Sequence, residues 1–249
     1  MELSNMFRPG RGSPKQLRTR AVFFDLGGTL LVMRRDRVFR RVLQEEGRPV
    51  ELGRIHSAYL KVEPTWLSVY GARVLTADET EEAYRDLDQK VFSELYPDEN
   101  TSEALRISKL VRKRWPELET EIPLELYPDA EPTLGRLAED GFSLGLISNA
   151  PADTRRAVEA LGLTRYLSTV VISGLVGYSK PHPEIFRIAL REAGVEAGEA
   201  LHVGDLYEAD VVGARGAGME GVLIDRDGSH SDMDCPRVKS LSEVYLYIR

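Results

Sequence analysis

The segment Ala21-Val22-Phe23-Phe24-Asp25-Leu26-Gly27-Gly28-Thr29-Leu30 frames the rest of the chain. Its apolar run Ala21–Phe24, closed by a Gly-Gly pair, has the length and composition of a short strand buried on both faces, as in the middle of a parallel sheet. Such a strand ends by delivering Asp25 to the sheet's carboxyl edge, where open α/β sheets bind ligands. A carboxylate there is a candidate nucleophile or metal ligand. It is also an ordinary turn residue, so the other strand ends have to decide.

The stretch after Thr29 turns helical and stays so for about ninety residues. Val38, Phe39, Val42 and Leu43 recur at helical spacing before Gly47 and Pro49. A second helix is expected over Leu52 to Val62, stopping before Pro64, and a third opens at Thr76-Ala77-Asp78-Glu79 with Ala83, Leu87, Val91 and Leu95 on one face. Thr101 to Trp115 makes a fourth, ended by Pro116. From Pro123 strands and helices alternate. Strands are expected at 142–147, 170–172, 201–203 and 221–224, with helices at 129–139, 153–161, 183–193, 208–217 and 241–248. The expected fold is therefore α/β: a Rossmann-like parallel sheet with helices on both faces, made of residues 19–33 and 123–249, and an inserted four-helix cap of residues 34–122.

Composition bounds the function. The chain has 249 residues, 42% hydrophobic, and contains no apolar run of membrane-spanning length. A formal charge of −7 argues against a nucleic-acid surface, so an anionic ligand needs a local basic pocket. One cysteine, Cys235, excludes an internal disulfide and suits a reducing, cytoplasmic setting. Residues 1–18, rich in Gly, Pro and Arg, are expected to form a disordered tail.

Polar side chains recur at the strand ends: Asp25 with Thr29, Ser148 with Asn149, and Asp205 with Asp210, while Lys180 precedes Pro181-His182-Pro183. Each has an ordinary explanation alone, as a turn, a helix start or a surface charge. Together, through Asp25-Leu26-Gly27-Gly28-Thr29, Ile147-Ser148-Asn149, Ser179-Lys180-Pro181-His182-Pro183 and Val203-Gly204-Asp205, they resemble the haloacid dehalogenase-like hydrolases with a helical cap after the first strand. The resemblance runs from Ala21 to the fifth strand.

That resemblance implies a phosphatase of a small phosphorylated molecule. Asp25 would be the nucleophile that forms an aspartyl-phosphate, Ser148 and Lys180 would hold phosphoryl oxygens, and Thr29 and Asn149 complete the candidate catalytic set. Mg²⁺ would be bound by Asp25, the Gly27 carbonyl and Asp205, with Asp210 supporting it or binding through water. His182, between two prolines, is expected to be structural. Substrate choice would lie in the cap, around Arg34, Arg35, Tyr70 and Arg73.

Gly27 departs from the pattern. Phosphatases of that family carry there a second aspartate, which protonates the leaving oxygen; a glycine has no proton to give. Losing a general acid costs roughly 10²- to 10⁴-fold, most for alkyl and least for aryl or acyl phosphates. The alternatives are a phosphonatase, for which Lys61 is the nearest cap lysine, a dehalogenase, or a phosphate-binding regulatory protein without turnover.

Overall fold

The structure, a computed structural model, describes residues 18–70, 77–226, 228 and 233–248. Of the tail expected at residues 1–18, residues 1–17 lie outside the described residues, as do Arg73 and the side chain of Tyr70. In chain order the elements are β1 (Ala21–Phe24), α1 (Arg34–Glu45), α2 (Leu52–Tyr70), α3 (Ala77–Leu95), α4 (Thr101–Glu121), α5 (Ala130–Glu139), β2 (Ser143–Ser148), α6 (Thr154–Ala160), β3 (Thr169–Ile172), α7 (Ser173–Val176), α8 (Pro183–Ala193), β4 (Ala200–Gly204), α9 (Gly213–Gly216), β5 (Glu220–Ile224) and β6 (Arg237–Val238).

The strands form one six-stranded sheet in the order β3-β2-β1-β4-β5-β6, and every pairing is parallel. β1 sits inside it with all its residues buried, so its side chains alternate between two cores. Val22 and Phe24 join Leu144, Leu146, Leu134 and Leu137 on the α5 face. Ala21 and Phe23 join Ile147, Ile185, Phe186 and Ala189 on the α8 face. The chain runs outward from β1 to β3, then crosses back to β4 on the other side of β1. The order therefore reverses between β1 and β4, where a ligand crevice is expected.

Helices α1 to α4 pack on one another around an apolar core of their own, in which Val38, Phe39, Val42 and Leu43 meet Tyr59, Leu87, Val91 and Ile107. Two helix ends differ from expectation. α2 continues through Pro64 to Tyr70, and α4 continues through Pro116 to Glu121. Proline removes one backbone hydrogen bond and disfavours a helix interior by about 3 kcal/mol. Packing beyond the proline offsets this: Trp66 lies against the four-helix core and Leu118 is buried in it. At its other end α4 is capped by Asn100, whose side chain accepts a hydrogen bond from the Glu103 amide at 2.9 Å.

The segment expected to be one helix over 208–217 is instead a π-turn, Tyr207–Val212, running into α9. β6 and α7 have too few residues to carry a periodic signal. The chain closes in a 3₁₀ segment, Leu241–Leu246, rather than an α-helix.

Candidate active site

β1 and β4 are in register, Phe24 opposite Val203, so the residues that follow each strand emerge side by side. The Asp25 amide continues the ladder by donating to the Val203 carbonyl at 2.9 Å. This brings the carboxylates of Asp25, Asp205 and Asp210 together, with ligand oxygens all within 4.8 Å of one another, and all three residues are buried. The Lys180 ammonium enters from the loop before α8. Its Nζ lies 2.6 Å from Asp25 Oδ1 and 2.5 Å from Asp210 Oδ1.

Asn149 explains how Lys180 is aimed. Its side-chain amide donates to the Lys180 carbonyl at 2.8 Å and accepts from the Lys180 amide at 2.7 Å. Both ends of that amide are used, so Asn149 positions the lysine backbone. Ser148, at the end of β2, is buried and its residue lines the cavity above the carboxylates. Thr29 does not line that cavity: it is fully buried, its hydroxyl has no hydrogen-bond partner among the described residues, and its carbonyl accepts from Arg226 at 2.8 Å.

Asp210 is held by three donors, namely Lys180, the Leu206 amide at 3.0 Å and His202 Nε2 at 2.9 Å. The π-turn is what points its side chain back at the end of β4. In the sequence His202 is marked only as part of the strand expected at 201–203. It is fully buried, and burial outweighs Asp210 to lower its pKa, so the ring is neutral and Nε2 carries the proton it donates.

Electrostatics separate the three carboxylates. Burial raises Asp210, but Lys180 and His202 outweigh it and hold that group well below the usual range. Burial pushes Asp25 up to about 6, with Lys180 only partly offsetting it and Asp210 adding to the rise. Asp205 is driven well above the ordinary carboxylate range by burial, by Asp25 and by Asp210. Among the described residues its carboxylate has no hydrogen-bond or ion-pair partner. One ammonium facing three buried carboxylates leaves an excess of negative charge that a divalent cation with oxygen ligands would neutralise. The donor set therefore fits Mg²⁺.

The backbone of the β1 turn is consistent with that fit. Gly28 has φ +77°, and a β-carbon there would overlap the Asp205 carboxylate, so only glycine allows the turn to pass so close. Among the described residues no backbone amide donates to the Gly27 carbonyl, which leaves that oxygen open. On the other side of Gly27 the space a side chain would need is filled by the Met33 thioether. A β-carbon on Gly27 would overlap its sulfur.

Above these groups lies a cavity of about 580 Å³ between the sheet edge and the four helices. Asp25, Ser148, Lys180 and Asp205 form its floor, while Tyr59, Trp66, Tyr84 and Trp115 contribute to its far wall. Of the expected cap positions, Arg34 and Arg35 line it. Arg35 is committed to Glu63 by two hydrogen bonds of 3.1 and 2.9 Å and lies over the Tyr59 ring at 4.5 Å. The Tyr59 hydroxyl donates to Asp88 Oδ1 at 2.8 Å, and burial pushes Asp88 up to about 7. Near Asp205, a buried His56 pairs with Asp36 at 2.7 Å, and burial is outweighed by that hydrogen bond, which raises the histidine. Lys61 points elsewhere, pairing with Glu94 on the surface. His182 caps α8, its Nδ1 accepting from the Glu184 amide at 3.2 Å.

A family model described as haloacid dehalogenase-like hydrolase matches residues 19–218. A curated relative, the phosphoserine phosphatase of Thermus thermophilus, is 42% identical over 49% of this chain and 50% of its own, so the chain spans about half the length of that relative. Among solved structures, a HAD phosphatase from Thermococcus onnurineus is 28% identical with a TM-score of 0.55, covering 92% of this chain and 97% of that one. A 2-haloacid dehalogenase from Pseudomonas syringae is 26% identical with a TM-score of 0.53 over the same shares of the two chains.

Proposed function

The chain belongs to the haloacid dehalogenase-like hydrolase family, and from that premise we propose that it is a Mg²⁺-dependent phosphatase of a small phosphorylated metabolite, acting through a phosphoryl group carried on Asp25. One observation carries this reading: three buried carboxylates within 4.8 Å of one another, with an ammonium between two of them, at the point where the strand order reverses. Residues 19–33 and 123–249 would form the catalytic core and 34–122 a cap over it.

Asp25 Oδ would attack phosphorus as the bond to the leaving oxygen breaks. Water would then attack the phosphorus of the aspartyl-phosphate, releasing phosphate and restoring the carboxylate. Lys180 and Ser148 would hold the phosphoryl oxygens, and Asn149, His202 and Asp210 would keep the lysine in place. Asp25, the Gly27 carbonyl and Asp205 would hold Mg²⁺ directly, and Asp210, whose oxygens already accept three hydrogen bonds, would act through water. When bound, the metal would neutralise charge between two anionic reactants and orient them. The four-helix unit would exclude water from the reacting centre.

The dehalogenase neighbour suggests the competing reaction, carbon–halogen cleavage. The excess of buried negative charge beyond what Lys180 balances favours a metal-dependent phosphoryl transfer instead. Gly27 favours a second reading, a phosphate-binding protein without turnover. A panel of alkyl, aryl and acyl phosphates and a haloacid, assayed with and without Mg²⁺ on the parent and Asp25→Asn proteins, separates the three. Metal-dependent phosphate release that vanishes in Asp25→Asn supports the proposal. Halide release, or binding without any turnover, overturns it. A charge of −7 and the single Cys235 agree with a small-molecule substrate and a cytoplasmic setting.

A further inference from the structure

Resting on that phosphatase reading, we infer that the substrate is an aryl phosphate monoester, its ring held among Tyr59, Trp66, Tyr84 and Trp115 while its phosphoryl group meets Asp25, Ser148 and Lys180. Two independent features converge on this class. The first is the far wall of the cavity. Trp66 and Tyr84 stack with centroids 5.6 Å apart and planes 29° from parallel. Arg112 lies over both Tyr84 and Trp115, at 5.2 and 5.0 Å. Leu87, buried in the four-helix core, continues this apolar wall. The guanidiniums of Arg35 and Arg112 are already matched, by Glu63 and Glu81 respectively. These two therefore present no unmatched charge to a second phosphate or a carboxylate on the substrate, and the other arginine lining the cavity is Arg34. A wall built of aromatic side chains suits a planar apolar group, and about 580 Å³ accommodates a ring with its phosphoryl group.

The second feature is the leaving-group side of Asp25. At Gly27 the thioether of Met33 occupies the space of a side chain, and a thioether cannot donate a proton. Lys180 is clamped between two carboxylates. An aryl phosphate needs no acid there. As the Asp25 oxygen–phosphorus bond forms, the aryl oxygen departs with the electron pair as a phenoxide, whose conjugate acid ionises near pH 10 as tyrosine does. An alkoxide, closer to hydroxide in basicity, would have to be protonated as it leaves.

Trp66 and Trp115 are the only two tryptophans in the chain, and both line the cavity, so intrinsic fluorescence reports occupancy directly. The probes are phenylphosphonate, propylphosphonate and inorganic phosphate, titrated in the presence of Mg²⁺ against the parent and against Tyr84→Leu and Trp115→Leu. Tyr84 is 40% exposed, so its truncation leaves the four-helix core filled. The expected result is that phenylphosphonate perturbs the emission and binds at least about tenfold tighter than propylphosphonate. That preference should shrink several-fold in each folded variant while propylphosphonate affinity holds. Equal affinity of the two phosphonates for the parent overturns the inference, whatever esters are hydrolysed. Tighter phenylphosphonate binding with no hydrolysis of any phosphate ester leaves the aromatic site standing and overturns the phosphatase reading on its own.

Discussion

Replacing Gly27 by aspartate restores the carboxyl group whose absence the sequence exposes, and the structure sets what that costs. Position 27 lies outside the left-handed region, so the backbone accepts a side chain there. The obstacle is Met33, whose sulfur the new β-carbon would overlap and whose Cε would lie at 3.4 Å. Displacing a thioether end is inexpensive beside moving backbone, and overpacking of this kind costs about 1–3 kcal/mol. Gly27→Asp alone therefore gains part of the general-acid contribution. Gly27→Asp with Met33→Ala gains most of it, roughly 10²- to 10⁴-fold in kcat/KM for an alkyl phosphate, or about 3–5 kcal/mol of barrier. Aryl phosphate turnover should change less than about tenfold, because its leaving group departs unprotonated. The assay is phosphate release from a matched alkyl and aryl pair, on the parent, both single variants and the double variant, each checked for folding by thermal denaturation. An unchanged alkyl-to-aryl ratio in a folded double variant would refute the account of Gly27.

Other expected outcomes follow from the same contacts. Lys180→Ala leaves three buried carboxylates without their cation, so unfolding stability without metal should fall by about 3–5 kcal/mol, read by denaturant titration. Gly28→Ala forces a β-carbon both into φ +77° and into the Asp205 carboxylate; metal affinity measured by calorimetry should drop at least about tenfold, beyond a stability loss of about 1–2 kcal/mol. Asp88 is raised to about 7 by burial, with only partial relief from the Tyr59 hydroxyl and from Arg112 and Arg35, so folding favours its protonated form. Its contribution is complete below the ordinary carboxylate pKa of about 3.9 and is lost as pH rises through about 7, up to about 4 kcal/mol in all. Asp88→Asn should therefore flatten the fall in stability between about pH 4 and 8, a slope that urea unfolding of the two proteins side by side would show.

The groups that come together around Asp25 were legible because strand ends are marked locally. A short apolar run followed by Asp25-Leu26-Gly27-Gly28 or by Gly204-Asp205 is visible in one window, and a parallel sheet brings such ends to one edge. What supports them was not legible. His202 sits in an apolar strand and differs from a packed core histidine only by reaching Asp210, which depends on the π-turn that begins five residues on. Asn149 has the sequence signature of a helix start, yet its amide is spent on the backbone of Lys180 across the loop. In α2, Tyr59, Glu63 and Trp66 recur at helical spacing and face the cavity, a pattern that looks from sequence like any packed stripe. Pro64 and Pro116 read as stops in the sequence because propensity is local, whereas the packing of Trp66 and Leu118 that carries the helices past them is not. Met33 beside Gly27 is a contact between a turn and a helix start that no spacing rule anticipates.

The central claim is that Asp25 carries the phosphoryl group during turnover, and trapping that group tests it most directly. The protein is mixed with Mg²⁺ and an aryl phosphate, quenched in acid within one turnover, digested and weighed peptide by peptide. The account predicts one added phosphoryl group on the peptide containing Asp25, lost in Asp25→Asn and much reduced in Asp205→Asn. Sustained phosphate release with that peptide unmodified, or with the phosphoryl group on another residue, would contradict it.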